Sequence, residues 1–597
     1  MENYARMCGN DDRCRREVCM KKTVTALTAL AVLLFTAGSL MAQNGEDAKF
    51  KKFQDNLWDT YFKFFPTAGT MQGYTKYDDK LEDLSSGSIE KFLDSLDGFN
   101  QELVSKIDKF KLSPDLQLEH ELSRDFLDLH VLKLENSLFI LDNPLFYNDL
   151  FVNSIRSLVT RNPNAPAAVS RARLLPGLIK KAKDNLKTPP REYTEAAIKQ
   201  LPGVIDFYKT ELPKLAGSSS ALLAEAQKIL LALDDYQRFL QGELLSRSTG
   251  NFRNPEAHRK LIRFLSQGNL SIEQDIVGRS QADTNNIRRE MFLVCIPFYK
   301  IMYPDQDIEQ LARTKGEEAT RMQVIQGVFD KIKGDHVSRE EFPARIAQAA
   351  AGIKDFLQQA KALDLPDEDL AVEPMPSYLS GTEWYDLAGP GAFEQTGPYT
   401  LYVRPIPADW SADEATSFLE EHNNYFIDYL AIQRAYPGTF VPIYFTRKDP
   451  SVVKRMTANR ALFMGWPLCV ENMLVFDGYK NYDLRSRLSE LKLLLKTVID
   501  FQMDMNVHEG TYNKEQVVNY MMRGGFMTQA EAERHWDFIV LNPGEASLPY
   551  IGYQEILDME KDYSKLKGSA FSKRDFLQKI LSYGAIPFRT IKTKIAQ

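Results

Sequence analysis

SIEKFLDSLDGFNQELVSKIDKF, residues 88–110, places Ile89, Phe92, Leu93, Leu96, Phe99, Leu103, Ile107 and Phe110 three or four positions apart. That spacing lines one face of an α-helix, because 3.6 residues complete a turn. Ser88 stands just before the first apolar residue, where a hydroxyl can cap the free N–H groups of a first turn. The same period returns after Gly217-Ser218-Ser219-Ser220, in Ala226, Ile229, Leu230, Leu233, Tyr236 and Leu240, and again in Leu488, Leu491, Leu494, Leu495 and Val498. The exception is Leu365–Pro407, dense in Pro and Gly, where Tyr399-Thr400-Leu401-Tyr402-Val403 is a β-branched and aromatic run of strand type. These patterns predict a mainly α protein, a multi-helix scaffold with one small β-sheet. The change of texture near residue 365 separates a helical N-terminal part, 43–364, from a C-terminal part, 365–597, and the two are expected to share one core. No repeat of fixed period and no low-complexity tract breaks the chain.

The N-terminus fixes an expected compartment. Met20-Lys21-Lys22 precedes an apolar run from Val24 to Leu40 and then Met41-Ala42-Gln43, the order of a secretory signal peptide over 20–42 cut after Ala42. Residues 1–19 read as upstream sequence from a mis-called start. The apolar run is short for a spanning helix and lacks a basic flank on its far side, so a periplasmic or secreted mature chain without a membrane span is expected. No cysteine follows the run to carry a lipid. Of five cysteines, Cys8, Cys14 and Cys19 precede Met20, which leaves Cys295 and Cys469, too few for a disulfide framework. A net charge of −7 argues against nucleic acid, whose binders need a basic stripe, and 44% hydrophobic residues suffice for a sizeable core.

Residues of chemical interest are sparse. Seven histidines stand at 120, 130, 258, 336, 422, 508 and 535, and none belongs to a His-Glu-x-x-His pair; His508-Glu509 is followed by Tyr512, which cannot complete one. His508 is open to two readings, a pocket residue or a satisfied residue at a helix end. His422 lies eleven residues before Gln433, on the same face if one helix joins them, and Glu420 and Glu421 beside it could make a metal cluster or merely a solvated helix face. Cys469 could pair with His508 as a nucleophile or simply fill a core.

Several segments in order resemble one family, the bacterial proteins catalogued as domain of unknown function 885, treated as metallopeptidase-like. The resemblance rests on Arg173-Leu174-Leu175-Pro176 with Ala182, Asn185-Leu186 and Pro189-Pro190, and on Gly381-Thr382-Glu383-Trp384-Tyr385 with Gly397-Pro398-Tyr399. It rests further on Asp504 with His508, Asn542-Pro543-Gly544-Glu545-Ala546, Tyr550-Ile551-Gly552, Phe571 to Phe576 and Gly584-Ala585-Ile586-Pro587. It implies a helical zinc-peptidase-like scaffold with a motif His-Glu-x-x-Pro-Gly-His and a later Glu-Gly-Trp. This chain has Gln433-Arg434-Ala435-Tyr436-Pro437-Gly438-Thr439 and Met464-Gly465-Trp466 in those places. Amide and hydroxyl oxygens are poor zinc ligands, a thioether prefers softer metals, and Arg cannot accept a proton.

The resemblance therefore implies a non-catalytic relative with no metal and no cofactor at Gln433, Arg434, Thr439 and Met464. A retained cleft would bind a peptide or similar small ligand through Arg434, Tyr436, Trp466, His508 and Tyr550. Of the aromatic residues around the motif, Tyr436, Phe440, Tyr444, Phe445 and Trp466, most are expected in the core, with one or two free to line a groove. A hydrolase with a relocated metal or a metal-independent site is the alternative, with His422, Glu421 and His508 the first ligands to test. A partner-binding surface protein is a third reading. Oligomeric state leaves no mark on the sequence.

Overall fold

The computed structural model describes residues 45–597 except 162–165, 218, 377–378, 380–383 and 597. The upstream segment, the signal peptide with its cut at Ala42, and Gly381-Thr382-Glu383 lie outside the described residues. Helix dominates, as the apolar periods predict. The chain divides into two compact units. The smaller holds the described residues up to Tyr61 together with Asp94–Leu127. Aromatic pairs fill its interior: Phe53 meets Phe99 edge-on at 5.5 Å and Trp58 meets Phe126 at 5.0 Å.

The larger unit, Phe62–Leu93 with Asp128–Gln597, carries the candidate sites described below. Its core is a cluster in which helices Val277–Met302 and Glu317–Ile332 pack with Leu484–His508, Lys514–Gly525 and Gln529–Leu541. Leu488, Leu491, Leu495 and Val498 are buried there, as their spacing requires, and Leu494 packs against the cluster's rim. A second close packing joins helix Arg460–Phe476 to helix Leu548–Lys567. Two glycines permit it: a β-carbon on Gly552 would lie 1.8 Å from the Ala461 carbonyl oxygen, and one on Gly465 would lie 2.3 Å from the Gly552 carbonyl carbon. Real β-carbons do not approach backbone so closely, so these positions admit glycine alone.

The expected strand is present as Tyr399–Val403 with alternate residues buried. It is the middle strand, β3, of a sheet whose other members are β1, Leu370–Pro374, parallel to it, and β2, Tyr385–Ala388, antiparallel. Two local expectations change. The helix of the 88–110 stretch spans Ser86–Ser105, and the N–H groups of Ser88 and Ile89 both donate to the Ser85 carbonyl, so Ser88 lies inside the first turn and is not its cap. The stripe also ends early, because Asp108 accepts the Phe110 N–H and bends the chain into a 3₁₀ turn, Lys109–Lys111, leaving Phe110 88% exposed. Among the described residues no helix is long and apolar enough to cross a membrane.

Candidate functional site

The 433–439 segment is a turn held by its own backbone. Asn423 caps helix Asn424–Arg434, its side chain accepting the N–H groups of Tyr425 at 3.1 Å and Phe426 at 3.2 Å. His422 therefore ends the preceding helix, Ala412–Glu421, so no single helix joins His422 to Gln433. After Arg434 the chain doubles back, and the Thr439 N–H and hydroxyl both donate to the Gln433 carbonyl, at 2.8 and 2.9 Å. A β-carbon on Gly438 would lie 2.1 Å from the Ile432 carbonyl oxygen, so only glycine closes this turn. The Trp466 indole N–H donates to the Pro437 carbonyl at 2.7 Å and ties the turn to helix Arg460–Phe476.

Behind the turn lie two buried carboxyls. Glu471 hydrogen-bonds the Gln433 side chain; burial pushes its pKa well above the usual range, the charge of Glu490 pushes the same way, and Gln433 and Arg434 oppose both. Its Oε1 has no hydrogen-bond partner among the described residues. Glu490, ion-paired with Arg487, is pushed up to about 7, chiefly by burial. Arg434 is exposed, its guanidinium 5.5 Å from the centre of the Tyr385 ring. Met464 is half-buried, one residue before the Gly465 that packs on Gly552. As a place for a dication this donor set does not fit: the Thr439 hydroxyl and the Gln433 amide are committed to the protein, Met464 offers only a thioether, and Arg434 adds a positive charge.

The other expected contact residues are placed inside. Tyr436 is buried and its hydroxyl accepts the Leu370 N–H at the head of β1, 3.0 Å away. Trp466 is fully buried, and the Tyr550 hydroxyl donates to Asp283 at 2.7 Å within the core. Glu421 is ion-paired with Arg534 and lies 3.8 Å from the Lys496 ammonium, while His422 Nδ1 faces the Phe418 carbonyl at 2.9 Å. Cys469 is buried, which pushes its thiol up and away from the thiolate a nucleophile needs.

His508 belongs to a different grouping, which the spacing of Asp504 and His508 half announces. Residues four apart share a helical face, and both side chains turn inward from the last turn of helix Leu484–His508. His258, on helix Pro255–Ser266, meets them: its Nε2 lies 3.1 Å from Asp504 Oδ1, and His508 Nε2 lies 3.5 Å from the same oxygen. The two imidazoles stack with centres 4.2 Å apart. The Asn542–Ser547 segment delivers the remaining donors, the Ser547 hydroxyl to Asp504 Oδ2 at 2.5 Å and the Gly544 N–H to Oδ1 at 3.3 Å. These hydrogen bonds and the histidines hold the Asp504 carboxyl below its usual range in spite of burial, whereas burial lowers His508 to about 4. His508 Nε2 also faces the Ile539 carbonyl at 3.1 Å, and His258 Nδ1 has no hydrogen-bond partner among the described residues. Beside the pair is a cavity of about 10 Å³, whose walls include Tyr193, Phe252, Asn254, His258, His508 and Pro543. Sequence reading missed Glu471, Glu490 and His258.

Two solved structures share the fold. A candidate lipoprotein of unknown function from Shewanella oneidensis superposes with a TM-score of 0.73 at 23% identity, over 92% of this chain and 100% of that one. A candidate lipoprotein from Colwellia psychrerythraea gives 0.70 at 15% identity, over 93% and 98%. No curated protein matches the chain. The family model described as bacterial protein of unknown function (DUF885) matches residues 66–595, which is nearly the whole described chain; the protein belongs to that family.

Proposed function

We propose that this chain is an exported, non-catalytic protein on a metallopeptidase-like scaffold with a degenerate zinc motif, and that it captures peptides or similar carboxylate-bearing ligands at the former metal place. One observation carries the proposal. Gln433 and Thr439, which stand where the resemblance puts histidines, are spent on the protein's own hydrogen bonds, while Arg434 remains exposed beside the Tyr385 ring. A guanidinium offers a planar fork of donors matched to a carboxylate, and an aromatic neighbour steadies it without consuming those donors. Export is supported by the basic, apolar and small-residue order from Met20 to Ala42, and the two solved relatives are themselves named as candidate lipoproteins. The rival reading, a hydrolase with a relocated metal, would look to His258, Asp504 and His508. The space of about 10 Å³ beside them is that of a single water and not of a peptide.

Binding of peptides with free and with amidated C-termini to the mature protein, and to Arg434→Ala, tests the proposal. The expected result is a preference for the free carboxylate and at least about a tenfold loss in the variant. Equal binding of both peptide forms, or a variant that binds as well as the parent, overturns it.

A further inference from the structure

Tyr385 is half-buried, and its hydroxyl oxygen is a buried atom with no hydrogen-bond partner among the described residues. The backbone holds it there. Tyr385 opens strand β2 opposite the buried Val403 of β3, and just before it the Trp384 carbonyl accepts the Arg404 N–H at 2.9 Å. A phenolic oxygen moves only with its ring, so the strand pairing decides where the hydroxyl stands. A buried hydroxyl without a partner costs stability, and phenylalanine would fill the same space without that cost.

The charged groups around Tyr385 say what is missing. Arg434 lies over the ring, its guanidinium 5.5 Å from the ring centre, and among the described residues it has no hydrogen-bond or ion-pair partner. Glu421, the acid whose charge also reaches Tyr385, is already ion-paired with Arg534. Burial pushes the Tyr385 pKa up, so the hydroxyl keeps its proton and acts as a donor. A free guanidinium fork and a phenolic O–H thus stand together without an acceptor, while the acid near them is spent. An ammonium finds no partner in such a place, and an anion with two oxygens finds two.

We infer that the Tyr385 hydroxyl is the second donor of the ligand site at Arg434, and that one terminal carboxylate accepts from both residues. The inference rests on carboxylate capture at Arg434. Nothing but the ring steadies the guanidinium, so it is free to lift with a bound carboxylate and uncover the hydroxyl beneath. The pairing narrows the ligand to a free peptide C-terminus. An amidated end keeps one oxygen and turns an N–H toward a donor, and an N-terminal ammonium offers no acceptor at all.

The test compares Tyr385→Phe with the parent mature protein and with Arg434→Ala, using tyrosine-free peptides with free and with amidated C-termini. Expected for Tyr385→Phe is about tenfold weaker binding of the free acid, unchanged binding of the amide, and a urea midpoint equal to the parent's or higher. If Arg434→Ala binds as the parent does, capture at Arg434 falls and this inference falls with it. If Arg434→Ala loses binding while Tyr385→Phe keeps the parent's preference for the free acid, the inference alone is overturned. Equal losses for both peptide forms in Tyr385→Phe overturn it as well, since the hydroxyl then serves the fold. Should Tyr385→Phe not fold, the parent decides: a red-shifted tyrosine difference spectrum is expected with the free acid and not with the amide, and its absence overturns the inference.

Discussion

Two buried acidic places in the larger unit are built in opposite ways. At Asp504 a hydroxyl, a backbone N–H and an imidazole converge on one carboxylate and hold it ionised without solvent. At Glu471 a single amide partner faces one side, Oε1 is unpartnered, and the nearest strong influence after burial is another carboxyl, Glu490, so the group is pushed toward its neutral form. The difference lies in how many donors reach each carboxylate. The first place is a polar knot that fastens the Asn542–Ser547 turn and helix Pro255–Ser266 to helix Leu484–His508. The second has an exposed Arg434 at its mouth and buried acids behind, a pattern of unspent polarity that a fold alone does not require.

The strongest way to separate frame from chemistry is at the glycine contact behind the turn. Gly552→Ala puts a β-carbon 1.8 Å from the Ala461 carbonyl oxygen, and a loss above about 4 kcal/mol, or no folded protein, is expected in urea denaturation. A mild effect there would mean that Gly465 and Gly552 do not set the spacing of the motif helix. Next come the two acids themselves. Asp504→Asn strips the charge from a site full of donors and is expected to cost about 3–5 kcal/mol, whereas Glu471→Gln, isosteric with the neutral acid, should stay within about 1 kcal/mol or stabilise at pH 8. Losses of equal size in the two variants would erase the contrast.

Glu490 sharpens it through pH. Its folded pKa is raised from 4.5 to about 7, so between those values the folded state holds more protons than the unfolded state, and stability falls as pH rises through that window. The contribution is fully favourable only below the lower value. Urea midpoints at pH 5 and pH 8 should therefore drop for the parent protein and drop less for Glu490→Gln; identical slopes would remove Glu490 from the account. The smallest effect is expected at Arg434→Ala, whose exposed side chain should change stability by no more than about 0.5 kcal/mol. A larger loss would make Arg434 a structural residue.

Local patterns were the legible ones. The stripe ending in Val498 and the strand Tyr399–Val403 could be read because the period that writes them is also the period that buries them. Strands Leu370–Pro374 and Tyr385–Ala388 escaped, being short and without a clear apolar alternation, and in the fold both pair with β3. The break at His422 was hidden in a run of polar residues, although Asn423 is a good helix cap once its neighbours are seen to be buried. Asp504 and His508 could be paired by their spacing, but His258 lies 246 residues before Asp504, and no local rule reaches that far. Glu471 was masked by the apolar run around it, where a carboxyl has no periodic signature.

The central claim, that the 433–439 turn and Met464 hold no working metal site, is most directly tested by activity in the presence of excess Zn²⁺. The purified mature protein, incubated with excess Zn²⁺ and a mixed peptide pool, should leave every peptide intact by mass spectrometry. Cleavage that a chelator abolishes, and that disappears in a variant of Gln433, Arg434 or Glu471, would contradict it.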